Sequence, residues 1–213
     1  MRKLSLALIG AAALAGSSAA SASVEFTGDT SGCFSLTSAP CSPVPNTGSF
    51  FGLTFNTGHF DQFTSAGGFA GIGSGQLPPL GDSLGFVSSD GTPFNFAGSY
   101  FTLLVNFTAP TNVTGGGTFQ ALLTGDISGT PNNGGVHFSF NPSSQLFHSS
   151  QGDFTLNVDP FTVSGGGQLT RITGYIQTVA VPEPATWAMM LVGFAGIGMA
   201  MRRRRSPALA QLA

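Results

Sequence analysis

Between Ser99 and Ala109 the chain reads SYFTLLVNFTA, the longest interior stretch free of both glycine and proline. It alternates: Phe101, Leu103, Val105 and Phe107 fall on one face, and Tyr100, Thr102, Leu104 and Asn106 on the other. A period of two is the pattern of a strand with one face in a core. The same alternation puts Phe119, Ala121 and Leu123 together in GTFQALLTGDI, Val136, Phe138 and Phe140 in GGVHFSFNP, and Phe154, Leu156 and Val158 in GDFTLNVDP. LTRITGYIQTV predicts one more strand, with Ile172 and Ile176 facing one way and Leu169, Arg171 and Tyr175 the other. SFFGLTFNTGHFDQF and GDSLGFVSS are strand-like but more broken. Turns are expected at Gly115-Gly116-Gly117, Pro131-Asn132-Asn133-Gly134 and Gly165-Gly166-Gly167. Interior glycine and proline oppose helices, and short strands joined by such turns indicate an all-β antiparallel sandwich or barrel; a jelly-roll-like β-sandwich is the expectation.

The two ends break this pattern with continuous apolar runs. At the start, Arg2 and Lys3 precede an apolar run from Leu4 to Gly16 and small residues ending Ala20-Ser21-Ala22. That is the three-part plan of a secretory signal, so residues 1–22 are expected to form a signal helix of the Sec route, cleaved to leave Ser23 first, with cleavage after Ala20 as the second choice. The run is about 13 residues, short of the roughly 20 that span a bilayer. At the other end, Ala185 to Met201 are uncharged and mostly apolar, about 26 Å as a helix and just enough to cross a hydrocarbon core. Trp187 marks one interface and Arg202, Arg203, Arg204 and Arg205 the other, where they would act as a stop-transfer cluster. The positive-inside rule puts the arginines and the tail 206–213 in the cytoplasm and Pro182-Glu183-Pro184 outside. Gly193, Gly196, Gly198 and Ala200 give this expected transmembrane helix, 185–201, a small-residue face. Residues 23–181 are left as the ectodomain.

Charge sharpens the division. The chain has seven Lys+Arg and nine Asp+Glu, but of the bases only Arg171 lies in the ectodomain, against eight acids. A domain so acidic offers no basic stripe for phosphates, which excludes nucleic acid as a partner, and anionic membrane surfaces should repel it. Cys33 and Cys41, in TSGCFSLTSAPCSP, read as a disulfide in a turn-rich stretch of an exported chain. They lack the CxxC spacing of a metal site. Most of the twenty phenylalanines fall on inward faces and are expected to fill the core.

Catalytic motifs are missing: no HExxH, no nucleophile elbow, no Walker loop and no EF-hand loop. His59, His137 and His148 are scattered, with His137 expected to face solvent from a strand. Asp153 and Asp159 flank one strand, roughly 20 Å apart by strand rise, too far for a glycosidase pair. Asp82, Asp90 and Asp126 sit beside glycine in apparent loops and could ligate calcium, which needs clustered oxygens, but no DxDxDG-like run accompanies them and solvated loop acids are the reading taken. No catalytic residue, metal site or cofactor is therefore assigned. A sugar platform would want Trp or Tyr; the one tryptophan lies in the tail, leaving Tyr100 and Tyr175. Asn106-Phe107-Thr108 and Asn112-Val113-Thr114 match the glycosylation tripeptide.

The tail does carry a specific pattern. Pro182-Glu183-Pro184, Ala185-Thr186, Trp187-Ala188, a glycine-bearing apolar helix and an arginine cluster together resemble the PEP-CTERM sorting signal in its PEPxxWA form, spanning 182–205. The resemblance implies a substrate of exosortase, the membrane-embedded cysteine-protease-like enzyme of Gram-negative bacteria that make extracellular polysaccharide. It implies an inner-membrane-anchored precursor cleaved at or near Pro182-Glu183-Pro184, with the mature form at the cell surface or in the matrix. The two prolines hold that junction extended and open to a protease. The ectodomain is read as a non-enzymatic, structural or matrix-associated protein; the alternative is a carbohydrate-binding module, or less readily a hydrolase, acting on extracellular polysaccharide.

Overall fold

The computed structural model describes residues 23–39, 41–65, 67–73, 82–128, 134–167, 169–178 and 184–203. The expected signal helix and its cleavage site, Pro182, Glu183, Arg204, Arg205 and the tail 206–213 lie outside the described residues. Strands follow in the order β1 (Glu25–Ser35), β2 (Leu53–Asn56), β3 (His59–Phe63), β4 (Phe69–Ile72), β5 (Phe86–Ser89), β6 (Phe94–Asn95), β7 (Tyr100–Ala109), β8 (Thr114–Gly115), β9 (Thr118–Ile127), β10 (Gly134–Phe140), β11 (Ser144–Ser149), β12 (Gly152–Val158), β13 (Phe161–Ser164), β14 (Thr170–Arg171) and β15 (Gly174–Thr178). They belong to one compact unit, Ala22–Ala180; the helix α1 (Pro184–Arg203) belongs to a second.

The chain is mostly β, and all its strand pairings are antiparallel. A seven-stranded sheet runs β13-β10-β9-β7-β1-β3, with β6 against β9; a five-stranded sheet runs β4-β15-β12-β11-β8; a third runs β14-β5-β2. Leu84 N–H donates to Ile172 O at 3.0 Å and Ile172 N–H to Gly85 O at 2.8 Å, which continues the β5–β14 pairing past Arg171. Three sheets with a half-barrel take the place of the two sheets of a jelly roll. One cause is local: LTRITGYIQTV, expected as a single strand, breaks at Ile172-Thr173, so that β14 pairs with β5 and β15 with β12 and β4.

Phenylalanine rings fill the space between the layers. Phe26 on β1 meets Phe154 on β12 edge-on at 4.7 Å, Phe107 on β7 meets Phe147 on β11 at 5.1 Å, and Phe55 on β2 meets Phe101 on β7 at 5.4 Å. The large sheet thus faces both smaller ones. The alternation read from the sequence marks this core: Phe101, Leu103, Phe119, Leu123, Val136, Phe138, Phe154, Leu156, Ile172 and Ile176 are buried.

The longest strand, β1, is not announced by the hydrophobic pattern. Its buried face begins with Phe26 and continues with Gly28, Thr30 and Gly32. A Cβ on Gly28 would lie 2.6 Å from the ring of Phe60 and 2.6 Å from the carbonyl of Asn106; on Gly32 it would lie 2.8 Å from the ring of Phe101 and 3.0 Å from that of Phe55. The glycines make the hollows into which rings of β2, β3 and β7 fit. Buried Thr30 is satisfied, its Oγ1 accepting from Gly58 N–H at 2.9 Å. Cys33 therefore stands in a strand, where a turn-rich stretch was expected, and its disulfide to Cys41 fastens β1 to the segment whose Val44 exchanges backbone hydrogen bonds with Gly32 at 2.9 Å.

Overpacking a filled hollow costs about 1–3 kcal/mol. Gly32→Ala should lower unfolding free energy by that amount in urea titration, while Gly48→Ala, whose Cβ would meet nothing within 4 Å, should stay within about 0.5 kcal/mol of wild type. Equal effects at the two positions would contradict the packing account.

Candidate functional site

Asp29, Asp82, Asp153, Asp159 and the three histidines make local hydrogen bonds. His59 Nδ1 lies 2.9 Å from Asp29 Oδ1 between β3 and β1, and His148 Nδ1 lies 2.8 Å from Asp153 Oδ1 between β11 and β12; all four side chains are more than half exposed. His137 projects from β10 into solvent with its Nδ1 3.1 Å from Thr162 Oγ1. Asp82 accepts from Asp61 N–H at 2.7 Å and from the Gln62 amide. Asp159 accepts from the Thr173 hydroxyl at 2.8 Å. Asp126, expected in a loop, lies in β9 opposite Gly135 and Asn95. Among the described residues no group of three or more His, Cys, Asp or Glu could hold a metal ion. Arg171, the ectodomain's one base, spends its charge locally: Nη1 donates to Gly73 O at 3.2 Å and the guanidinium sits 5.7 Å from the ring centre of Phe86.

A cleft of about 170 Å³ opens between β7 and β8, lined by Val105, Asn106, Phe107, Thr114, Gly115 and Phe147 among others. It is smaller than the several hundred Å³ of most small-molecule sites, and none of these side chains titrates near neutral pH. It can offer hydrogen bonds but no acid or base.

The outer face of the five-stranded sheet is differently equipped. Tyr175 on β15 lies opposite Asn157 on β12 and Gly71 on β4, while the next pair in register on that face joins Gln177 to Thr155 and to Phe69. The glycine opposite Tyr175 leaves room above it, and the diagonal neighbour Phe69 stacks on the tyrosine, ring centres 5.3 Å apart and planes 27° from parallel. Phe69 stays 49% exposed. Tyr175 could be singled out in the sequence; Phe69 could not, because the pair depends on a β4–β15 register between residues a hundred positions apart. Tyr100, the other tyrosine, is half-buried on β7, in the opposite layer.

The sorting residues fall on α1. The helix starts at Pro184, where proline's missing N–H costs nothing, and runs through Trp187 and Ala188 to Arg202 and Arg203. Met190, Leu191, Val192, Phe194, Ile197, Met199 and Met201 are all exposed. Among the described residues no helix is long and apolar enough to cross a membrane. The transmembrane span read over 185–201 is thus not confirmed by the structure.

In the chain a β-rich unit is followed by an apolar helix with an arginine end. Residues 180–205 match the family model of the PEP-CTERM protein-sorting motif. The match implies an exported cell-surface protein that exosortase sorts and processes. No curated protein and no solved structure matches the chain.

Asp90 supplies a pH test of the local turns. The Thr92 hydroxyl and then its N–H, 2.8 Å away, bond the Asp90 carboxylate and hold its pKa below the ordinary 3.8. The turn's contribution to stability is therefore fully present above pH 3.8 and fades as pH falls through the lower, folded-state value. Thr92→Val removes the hydroxyl bond and should move the Asp90 carboxyl midpoint upward in an NMR titration; an unmoved midpoint would contradict the assignment.

Proposed function

We propose that this is an exported surface or extracellular-matrix protein of a Gram-negative bacterium, made as an inner-membrane-anchored precursor and freed when exosortase cuts at or near Pro182-Glu183-Pro184. The observation that carries the reading is the sorting motif over 180–205. Several others support it. The exposed apolar side chains of α1 suit a lipid surrounding rather than water. The strands close their own phenylalanine core within Ala22–Ala180, so cleavage between strand and helix removes nothing that core needs. A disulfide is at home in an exported chain.

The mature role proposed is structural or matrix-associated and non-enzymatic. The paired surface acids, the cleft without a titratable lining and a solvent face of amides and hydroxyls support that reading. Carbohydrate binding is kept as a second reading because one observation favours it, the Phe69–Tyr175 stack on an open sheet face.

The test is processing in an exosortase-bearing host. Wild type should appear outside the inner membrane as a shortened form, and Pro182→Ala/Glu183→Ala/Pro184→Ala should accumulate at precursor length in the inner-membrane fraction. Equal length and location for the two would overturn the proposal.

A further inference from the structure

We propose that the outer face of the five-stranded sheet binds an uncharged polysaccharide chain, with Phe69 and Tyr175 as its stacking surface. This goes beyond the sorting reading and stands or falls separately from it.

The face reads as two kinds of chemistry laid side by side. At its β4–β15 edge two aromatic rings stack with centres 5.3 Å apart, one of them half exposed. Had the pair been there to fill the core, Phe69 would point inward as Ala70 and Ile72 do. Beyond the rings two rows follow in register across β15, β12 and β11, Gln177–Thr155–Leu146 and Tyr175–Asn157–Ser144, with their side chains on the same face; Leu146, at the far side, is 47% exposed. Strand spacing makes that polar run about 10 Å wide. Amides and hydroxyls both donate and accept, which matches sugar hydroxyls, and the C–H faces of pyranose rings suit a flat aromatic surface.

Charge decides which polymer. The polar run holds no ionic group, and the one ion pair on the sheet, His148–Asp153, lies at the β11–β12 hairpin end, where Ser149 meets Gly152. The domain around it is strongly acidic, so a uronate or sulfated chain would be repelled while an uncharged one would not. A protein partner is the poorer fit, since a stable protein interface wants an apolar, well-filled centre, and between the rings and Leu146 the middle of this face carries Gln177, Thr155 and Asn157.

The experiment is affinity electrophoresis of the full chain in a sugar-free polyoxyethylene detergent, through native gels containing β-glucan, xyloglucan or galactomannan, with alginate as the anionic comparison. At least one neutral polymer should retard the wild type, and alginate should not. Tyr175→Ala and Phe69→Ala should each weaken the retardation about tenfold, the scale of one lost aromatic contact, whereas Tyr175→Phe should keep most of it. Melting curves check folding; should Tyr175→Ala fail to fold, Phe69→Ala, at an exposed ring, decides. Absence of retardation by every neutral polymer, stronger retardation by alginate, or retardation that survives both alanine variants would each overturn the proposal. So would a native mass showing that the face joins two copies of this chain and that Phe69→Ala separates them.

Discussion

The fold depends on phenylalanine rings seated over glycines of the first strand. β1 pairs with the edge strand β3 on one side and β7 on the other, and its inner face must leave space for rings from three neighbours. Gly28 takes Phe60, and Gly32 takes Phe101 and Phe55. Large residues on the partners and glycines at these two positions of β1 interdigitate as an interior at crystal density requires. From this contact the rest follows: Phe101 carries the stack on to Phe138 and Phe34, and Phe26, at the other end of the strand, reaches across to Phe154 in the second layer.

That arrangement explains what could and could not be read from the sequence. Strands whose own inner positions are large, such as β7, β9, β10 and β12, announce themselves by alternation, and their buried residues are those the pattern selects. β1 presents the negative image, glycine where a core residue would stand, and was legible only as a turn-rich region. The division of LTRITGYIQTV into β14 and β15 was hidden for another reason. Ile172 is buried and apolar as a strand residue should be, but its backbone bonds to Leu84 and Gly85, and sequence periodicity says nothing about which strand answers a given N–H. The Phe69–Tyr175 pair was out of reach for the same reason, being a product of register. The sorting signal sits at the opposite extreme: its motif, apolar run and arginines are contiguous, so no tertiary contact is needed to see it.

Two kinds of apolar residue thus share one chain. Those of the strands satisfy each other and leave outside a surface of small polar groups with a few exposed rings. Those of α1 remain exposed and look for a surrounding that the β unit does not supply. Pro182-Glu183-Pro184 joins them, and Pro184 already opens the helix, at the one position where proline's missing N–H is not needed.

The measurement that tests this most directly is the intact mass of the protein recovered from outside cells of an exosortase-bearing, polysaccharide-producing host. The account predicts a species beginning near Ser23, ending at or near Pro182-Glu183-Pro184, and carrying Cys33 and Cys41 in oxidised form. A recovered species that still holds Trp187 through Arg205 would contradict it, and the helix would then be a permanent part of the mature protein.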